Sequence, residues 1–356
     1  MERKKVMLTG GGTAGHVNPN LSLLPYLNEA GLSVSYVGSK GGIEESLVKL
    51  AGIPFFGISS GKLRRYLSLD NVTDAFRVVK GVGDAFAILK KERPDIIFSK
   101  GGFVCVPVVL AAFLLRIPVI AHESDVTPGL ANKIAYPFAK TICATFAETI
   151  PYIPKGKAVL TGTPLRKELF HGKRENALNM CGFDGSKPIL LVTGGSLGAS
   201  TINLAVREAL PALTETFDII HLCGAGKKDD TIKNAGYAQF EYVGAEMKDV
   251  LTAADVILSR AGANAIFEFL SLCKPSVLVP LSKKASRGDQ ILNADIFEKS
   301  GYSAVIYEEN LTCAKMAEKC VDVYKNREYY IGNMVKVKKQ DSARVITELI
   351  KNSVKQ

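Results

Sequence analysis

The feature that most constrains the fold is a short apolar run that ends in three consecutive glycines. Residues 4–9 read KKVMLT, and GGGTAGH follows at residues 10–16. An apolar run of this length predicts a buried parallel strand. The glycines allow the backbone to turn sharply and to approach a ligand closely. A helix predicted from about Pro19 would then offer unpaired N–H groups and a positive dipole end to an anion.

The same pattern returns in the second half of the chain, where residues 188–200 read PILLVTGGSLGAS. A chain of 356 residues is also longer than one compact core usually accommodates. We therefore predict two similar α/β domains that face each other across a cleft, one over 1–163 and one over 164–340. The last helix, at about 341–356, is predicted to pack back on the first domain.

Other short apolar runs predict the remaining strands of two parallel sheets. In the first half they lie at 33–38, 54–58, 95–98, 117–121, 141–144 and 158–160. In the second half, strands are predicted at 188–193, 217–222, 239–243, 255–258, 276–279 and 302–306.

Composition narrows the class of protein. The seven cysteines are odd in number and form no CxxC pair, so neither a disulfide framework nor a zinc site is predicted. A reducing cytosol is the expected compartment. The sequence has no apolar segment of signal-peptide length before the first strand and no uncharged apolar stretch of about 18 residues, so no membrane span is predicted.

The net charge of +10 indicates an anionic partner: a nucleic acid, an anionic membrane or a phosphorylated substrate. No nucleic-acid-binding motif occurs, which favours the other two. Residues 61–93 carry eight basic and four acidic side chains on a predicted helix and the loop before it. That segment is either an ordinary helix packed on the sheet or a surface for anionic lipid, with Arg64, Arg65 and Lys80 as the candidate contacts.

The glycine pattern Gly10-x-Gly12-x-x-Gly15 also fits a dinucleotide-binding loop, but only weakly. In that fold the second strand ends in an acidic residue that binds the ribose. Here the second strand ends in Gly38-Ser39-Lys40. The missing acid argues against NAD, and no cofactor is predicted.

Several side chains are candidates for chemistry, each with a structural alternative. His16 is a candidate general base, because a helix N-terminus lowers the pKa of an imidazole. Alternatively, His16 only forms a hydrogen bond to the backbone at the helix N-terminus. His122, at a strand end, is either a second base or structural. Glu268 could accept the two hydroxyls of a ribose or lie on a helix surface. Arg166 is a phosphate clamp or a surface residue, and Gly194-Gly195-Ser196 is a phosphate cradle or ordinary packing.

Six motifs resemble, in order and spacing, those of the MurG family of peptidoglycan N-acetylglucosaminyltransferases, and the resemblance covers nearly the whole chain. They are GGGTAGH at 10–16, KGGF at 100–103, HESD at 122–125, GGSLGA at 194–199, SRAGANAIFE at 259–268 and RGDQILN at 287–293. The forms SGKLRRY at 60–66 and SRGDQ at 286–290 are similar to those of the Firmicutes.

The resemblance implies the GT-B fold, with two Rossmann-like domains. It implies transfer of GlcNAc from UDP-GlcNAc to the 4-hydroxyl of MurNAc in lipid I, with inversion, giving lipid II for peptidoglycan, cell shape and cell division. It further implies a peripheral enzyme on the cytoplasmic side of the cell membrane, independent of metal. Other cell-wall synthesis proteins would be candidate partners.

The resemblance also implies roles for individual residues. His16 would be the base for the acceptor hydroxyl, with Asp125 and His122 as alternatives. The donor would contact a set distributed over both halves: Thr13, Ala14, Gly15, Arg166, Ser196, Met247, Ala263, Glu268, Gln290 and Asn293. Within that set, Arg166 and Ser196 would hold the phosphates, the backbone at Met247 would read uracil, and Glu268 would bind the ribose. The acceptor diphosphate would face Gly12, Gly101 and Gly102. Ala14 and Asp125 depart from the usual glycine and asparagine of the family.

Three alternatives stay open on the sequence alone. A related GT-B enzyme would glycosylate diacylglycerol instead of lipid I. An oxidoreductase would bind NAD, and a nucleotide-binding module would have no activity that depends on His16 or Asp125.

Overall fold

The computed structural model describes residues 3–61, 70–195, 197–283, 286–337 and 340–354. The chain divides into two compact units. The first comprises residues up to Arg166 together with the C-terminal residues from Gln340, and the second comprises Lys167–Lys339. The division therefore falls three residues beyond the predicted linker position at 163. Arg64 and Arg65, two of the candidate lipid contacts, lie outside the described residues, as does Ser196.

The first unit is built on a parallel sheet of seven strands in the order β3-β2-β1-β4-β5-β6-β7. The strands are β1 Lys5–Thr9, β2 Ser33–Ser39, β3 Phe55–Ile58, β4 Ile96–Ser99, β5 Val119–Glu123, β6 Thr141–Ala144 and β7 Ala158–Leu160. Its helices are α1 Ala14–Leu21, α2 Leu24–Glu29, α3 Ile43–Leu50, α4 Asp70–Glu92, α5 Cys105–Leu114 and α6 Leu130–Ala135, with the C-terminal α15 Ser342–Val354.

The second unit has six parallel strands in the order β10-β9-β8-β11-β12-β13. They are β8 Ile189–Thr193, β9 Asp218–Leu222, β10 Tyr237–Phe240, β11 Val256–Ser259, β12 Ser276–Leu278 and β13 Ser303–Val305. The helices are α7 Arg174–Cys181, α8 Ser200–Glu208, α9 Leu210–Thr216, α10 Met247–Ala253, α11 Ala263–Ser271, α12 Asp289–Lys299, α13 Cys313–Lys325 and α14 Arg327–Met334.

Apolar cores cover both faces of the first sheet, as the uninterrupted apolar strands predict. Along β1, Val6 and Leu8 point into one core while Met7 points into the other. The first of these cores also contains Ala343, Ile346 and Ile350 of α15. The C-terminal helix thus completes the core of the first unit.

One expectation about the first loop was wrong. The helix begins at Ala14, not near Pro19, and Pro19 lies inside it. Thr13 already has the extended backbone of a helix N-cap, so the chain enters the helix as soon as it leaves the glycines. The first acidic residue after β2 is Glu44, which lies in the first turn of α3 and is fully buried.

The order of the strands shows where the two glycine loops lie in each sheet. It reverses between β1 and β4 in the first unit and between β8 and β11 in the second. In open α/β sheets, ligands bind beyond the carboxyl ends of the strands at such switch points. Both glycine loops begin at these positions.

Candidate active site

At the switch point of the first unit, the loops after β1 and β4 pack directly against each other. Gly102 has a φ of +85°, and a Cβ there would overlap the carbonyl oxygen of Gly11. The same Cβ would lie 3.2 Å from Cδ2 of His16, in the first turn of α1. Gly12, also at +85°, faces the ring of Phe103. Glycine is therefore required at position 102, where the loops after β1 and β4 approach closely and the His16 imidazole lies beside the loop after β4.

The Glu44 carboxylate forms hydrogen bonds with the first glycine loop and with the end of β2. No sequence motif indicated this role. Its Oε1 accepts the N–H of Ser39 at 2.9 Å, and its Oε2 accepts the N–H of Gly12 at 3.3 Å. A Cβ at Gly11, Gly38 or Gly42 would collide with this side chain. One amide of the loop is thus already bonded to an internal anion.

A buried polar cluster lies between the ends of β4 and β5. Lys100 Nζ lies 2.7 Å from Nδ1 of His122 and 2.6 Å from Oγ of Ser124. The other ring nitrogen of His122, Nε2, lies 2.9 Å from the carbonyl oxygen of Gly162. That carbonyl can only accept, so Nε2 carries the proton and Nδ1 accepts from Lys100. Burial and the nearby lysine hold the pKa of His122 well below its usual value.

The hydrogen bonds of His122 exclude it as the catalytic base. Neither ring nitrogen of His122 is available to a substrate, because the side chain is fully buried and both nitrogens are hydrogen-bonded. Asp125 is half-buried at the end of the same strand segment. Of the three candidate bases, His16 and Asp125 are the two whose side chains are not fully buried.

Backbone bonds hold the position of Asp125. Its N–H donates to Oε1 of Glu123 at 3.2 Å, and its carbonyl oxygen accepts from Oγ1 of Thr149 at 3.1 Å. Glu123 is buried and accepts further bonds from Ser124 N–H at 2.9 Å and from Asn132 Nδ2 at 2.8 Å. The turn at residues 124–125 is thus rigidly supported.

The glycine loop of the second unit is supported differently. Lys227 donates from Nζ to the carbonyl oxygens of Leu197 at 2.9 Å and Gly198 at 3.3 Å. Gly195 has a φ of +77°, and a Cβ there would meet no atom within 4 Å. A cation on the carbonyls leaves the loop electropositive, and α8 begins directly after it at Ser200. Both features favour an anion.

Two of the predicted donor residues, Asn293 and Gln290, bond to the backbone that follows β11 and β12. Asn293 is fully buried, and its Nδ2 donates to the carbonyl oxygen of Ala261 at 3.2 Å. Gln290 accepts from the N–H of Leu281 at 3.2 Å through Oε1. Asn293 therefore fixes the backbone after β11, and Gln290 fixes the backbone after β12.

Of the other predicted donor residues, Ala263 and Met247 lie at helix starts, Glu268 lies within a helix and Arg166 lies just before one. Ala263 is the first residue of α11, and Glu268 is half-buried on the same helix. Met247 begins α10, and its N–H donates to the carbonyl oxygen of Gly244 at 3.2 Å. Arg166 is half-buried at the last position of the first unit.

Two further findings concern the part of the chain that the structure describes. None of its helices combines the length and apolarity needed to cross a bilayer. It contains no group of three or more His, Cys, Asp or Glu side chains placed to hold a metal ion.

Comparison with known proteins covers both units. The glycosyltransferase family 28 N-terminal domain matches residues 6–144, and the family 28 C-terminal domain matches residues 189–349. A protein of Clostridium botulinum (strain 657 / Type Ba4) is 55% identical over 99% of this chain and 100% of its own length. One of Clostridium tetani (strain Massachusetts / E88) is 57% identical over 93% of each chain.

Both relatives carry the name UDP-N-acetylglucosamine–N-acetylmuramyl-(pentapeptide) pyrophosphoryl-undecaprenol N-acetylglucosamine transferase. Among solved structures, MurG of Acinetobacter baumannii is similar, with a TM-score of 0.77 and 26% identity over 98% of this chain and 99% of that one. The two-unit architecture described above is accordingly of the GT-B type.

Proposed function

The chain belongs to glycosyltransferase family 28, and from that membership we propose its reaction. It transfers N-acetylglucosamine from UDP-GlcNAc to the 4-hydroxyl of MurNAc in lipid I, the undecaprenyl-pyrophosphoryl MurNAc-pentapeptide, and so forms lipid II. The observation that carries this proposal is the 55% identity to a transferase of that name along 99% of the chain.

The chemistry is a single displacement. The 4-hydroxyl oxygen of the acceptor attacks C1 of GlcNAc, the bond from C1 to the UDP oxygen breaks, and UDP leaves with the electron pair. The hydroxyl proton passes to a base, for which His16 and Asp125 are the candidates. Attack opposite to the leaving group inverts the configuration at C1.

The leaving diphosphate needs positive charge and N–H donors. The loop after β8 supplies both, because Lys227 binds its carbonyls and α8 begins directly after it. Arg166 would add a guanidinium, and Glu268 would accept the ribose hydroxyls. These groups can balance the departing charge without a metal, so transfer should persist in excess EDTA.

The test is transfer of labelled GlcNAc to a lipid I analogue, followed by chromatography of the product. We expect labelled lipid II from lipid I and none from diacylglycerol. Product with diacylglycerol alone would favour a glycolipid synthase, and a melting temperature raised by NAD but not by UDP would favour an oxidoreductase. His16→Ala and Asp125→Ala variants that retain full activity would indicate a module without catalysis by these residues.

We also propose that the first unit binds the cytoplasmic face of the cell membrane through α4 and α5. On α4, Phe76 and Val79 are 73% and 71% exposed and alternate with exposed Arg77 and Lys80. The adjoining α5 exposes Phe113 and Leu114 near its end. Apolar side chains among cations are the composition of an interfacial helix on anionic lipid.

Liposome flotation tests this membrane proposal. Arg77→Glu/Lys80→Glu should lower the partition constant for vesicles that contain phosphatidylglycerol by about thirtyfold or more, since two cations at about 1 kcal/mol each contribute about 2 kcal/mol. Lys325→Glu, an exposed cation on α13 of the second unit, is the control and should float like wild type. Equal flotation of all three proteins would remove the proposal without affecting the transfer reaction.

A further inference from the structure

Lys100 is a buried cation with no path to a substrate. Its side chain is 1% exposed, although it follows β4 directly and precedes the Gly101-Gly102 loop. Its two close polar partners are Nδ1 of His122 and Oγ of Ser124, at 2.7 and 2.6 Å. A charged lysine in such a position is costly unless nearby groups require it.

The groups that act on the Lys100 ammonium come from two strands. Glu123 and Asp125, at and just beyond the end of β5, both favour its charged form, whereas burial opposes it. The balance lowers the pKa of Lys100 to about 7. His122 is neutral, and Cys143 of β6 is also neutral because burial raises the pKa of its thiol to about 12. The charge of Lys100 therefore interacts with two carboxylates.

Those two carboxylates differ in what surrounds them. Glu123 is 4% exposed and its oxygens accept bonds from Ser124, Asp125, Gly129 and Asn132, so it is fixed within the protein. Asp125 is half-buried and belongs to the turn that Lys100 holds through the Ser124 hydroxyl. Of the two, Asp125 is the carboxylate that a ligand can reach.

We propose that Lys100 is a positioning residue for the transfer reaction: its bond to the Ser124 hydroxyl fixes the Ser124–Asp125 turn, and its charge favours the ionised Asp125 carboxylate, which can then accept a hydrogen bond or the proton of the acceptor hydroxyl. This inference rests on the proposed function. It assigns a task to the lysine of the KGGF motif that packing alone does not explain.

The first test is a kinetic cycle of Lys100→Met, Asp125→Asn and the double variant. Without the cation, the pKa of Asp125 rises. Lys100→Met should therefore move the acid limb of the kcat profile to higher pH. Loss of the bond to the Ser124 hydroxyl should also displace the turn and lower kcat at pH 7 at least tenfold. The KM for UDP-GlcNAc should stay within twofold of wild type. In the Asp125→Asn variant, adding Lys100→Met should lower kcat by less than a further twofold.

A purely structural lysine would give a different result. The acid limb would stay in place, and the two losses would multiply in the double variant. Either outcome would overturn the inference. Lys100→Gln removes the charge but keeps an amide donor toward His122, and it should reproduce the shift if Lys100→Met does not fold.

The second test does not depend on activity. Protein labelled with ¹³C at the lysine Cε should give one lysine signal that titrates near pH 7 by NMR. Because coupling between two charges is reciprocal, Asp125→Asn should lower that midpoint. An unchanged midpoint would overturn the inference even if transfer to lipid I is confirmed, whereas a wild-type protein that shows the coupling but no transfer would remove only the proposed function.

Discussion

The two glycine loops are similar in sequence but opposite in electrostatic construction. In the first unit, the Glu44 carboxylate binds the Gly12 amide from below. In the second unit, the Lys227 ammonium binds the carbonyl oxygens of Leu197 and Gly198. A carboxylate accepts a bond from a loop N–H and adds negative charge, whereas an ammonium donates to loop carbonyls and adds positive charge. The same motif thus provides a backbone turn in both units but a ready anion site chiefly in the second.

We expect the largest loss of stability and activity from substituting a glycine that allows two loops to come into contact, rather than one that only provides a turn. Gly102→Ala would force a Cβ onto the Gly11 carbonyl at a φ of +85°. We expect a loss of about 3 kcal/mol in stability or more, from overpacking and backbone strain together. Transfer activity should fall more than 100-fold, which urea unfolding and the transfer assay would measure.

Its matched control is Gly195→Ala in the second loop, at a φ of +77° with open space around the new Cβ. Only the strain of about 1–2 kcal/mol applies there. Equal destabilisation by both substitutions would contradict the distinction between the loops.

The next effect concerns the internal anion. Glu44→Ala leaves the amides of Ser39 and Gly12 without their acceptor, at a cost of about 1–3 kcal/mol. We expect a higher KM for the lipid acceptor and an unchanged Kd for UDP by calorimetry. The control is Glu45→Ala, which removes an exposed pair with Lys49 and an exposed bond from the Gly41 N–H and should cost about 1 kcal/mol or less. A raised Kd for UDP in the Glu44 variant would show that the two loops are not functionally separate.

Lys227→Gln should have the reverse effect. Loss of its charge from the second loop should weaken UDP binding about tenfold, since a charged hydrogen bond contributes about 1.5–3 kcal/mol. The KM for the lipid acceptor should not change. Lys228→Gln is the neighbouring control, because that side chain forms an exposed pair with Asp230. If both variants bound UDP alike, Lys227 would have no special part in the loop.

The smallest expected effect at neutral pH is a change in how stability depends on pH, and it comes from one buried basic side chain in each unit, Lys100 and His221. The pKa of Lys100 is about 7 when folded, against 10.5 as its ordinary value. Between those values the unfolded chain binds the extra proton, so stability rises with pH. The difference in unfolding free energy between wild type and Lys100→Met should grow from pH 7 to 10. A difference that stays flat or shrinks over this range would contradict the lowered pKa.

The second unit should respond in another range. Burial lowers the pKa of His221 to about 3, while Tyr237 and Asn203 occupy its ring nitrogens. Because the folded pKa lies below the ordinary 6.5, stability is lost as pH falls from 6.5 toward 3. Hydrogen exchange resolved by unit would detect this loss in wild type, and His221→Gln should reduce it.

The sequence predicted most strands well because most are short apolar runs bounded by glycine or polar residues. β8 and β9, for example, begin within one residue of their predicted starts. The prediction at 239–243 was displaced, since β10 lies at Tyr237–Phe240 and contains the polar Gln239. Periodicity did not locate the start of α1, because the first helical residues, Ala14 and Gly15, carry no apolar signal. The glycine at position 12 and the extended Thr13 determine that start instead.

The roles of Glu44 and Lys100 could not be predicted from sequence. Glu44 reads as an ordinary acid in a first helical turn, and its burial depends on glycines at 11, 38 and 42 that leave room for its carboxylate. Lys100 reads as a surface cation after a strand. It is buried because β5 lies beside β4 in the sheet, and that neighbour relation is a property of topology.

The C-terminal helix has a consequence for synthesis of the protein. Ala343, Ile346 and Ile350 belong to the core of the unit that the ribosome makes first. That core stays incomplete until the final helix has left the exit tunnel, by which time all residues of the second unit have emerged. The half of the enzyme that is translated first is therefore the half that matures last.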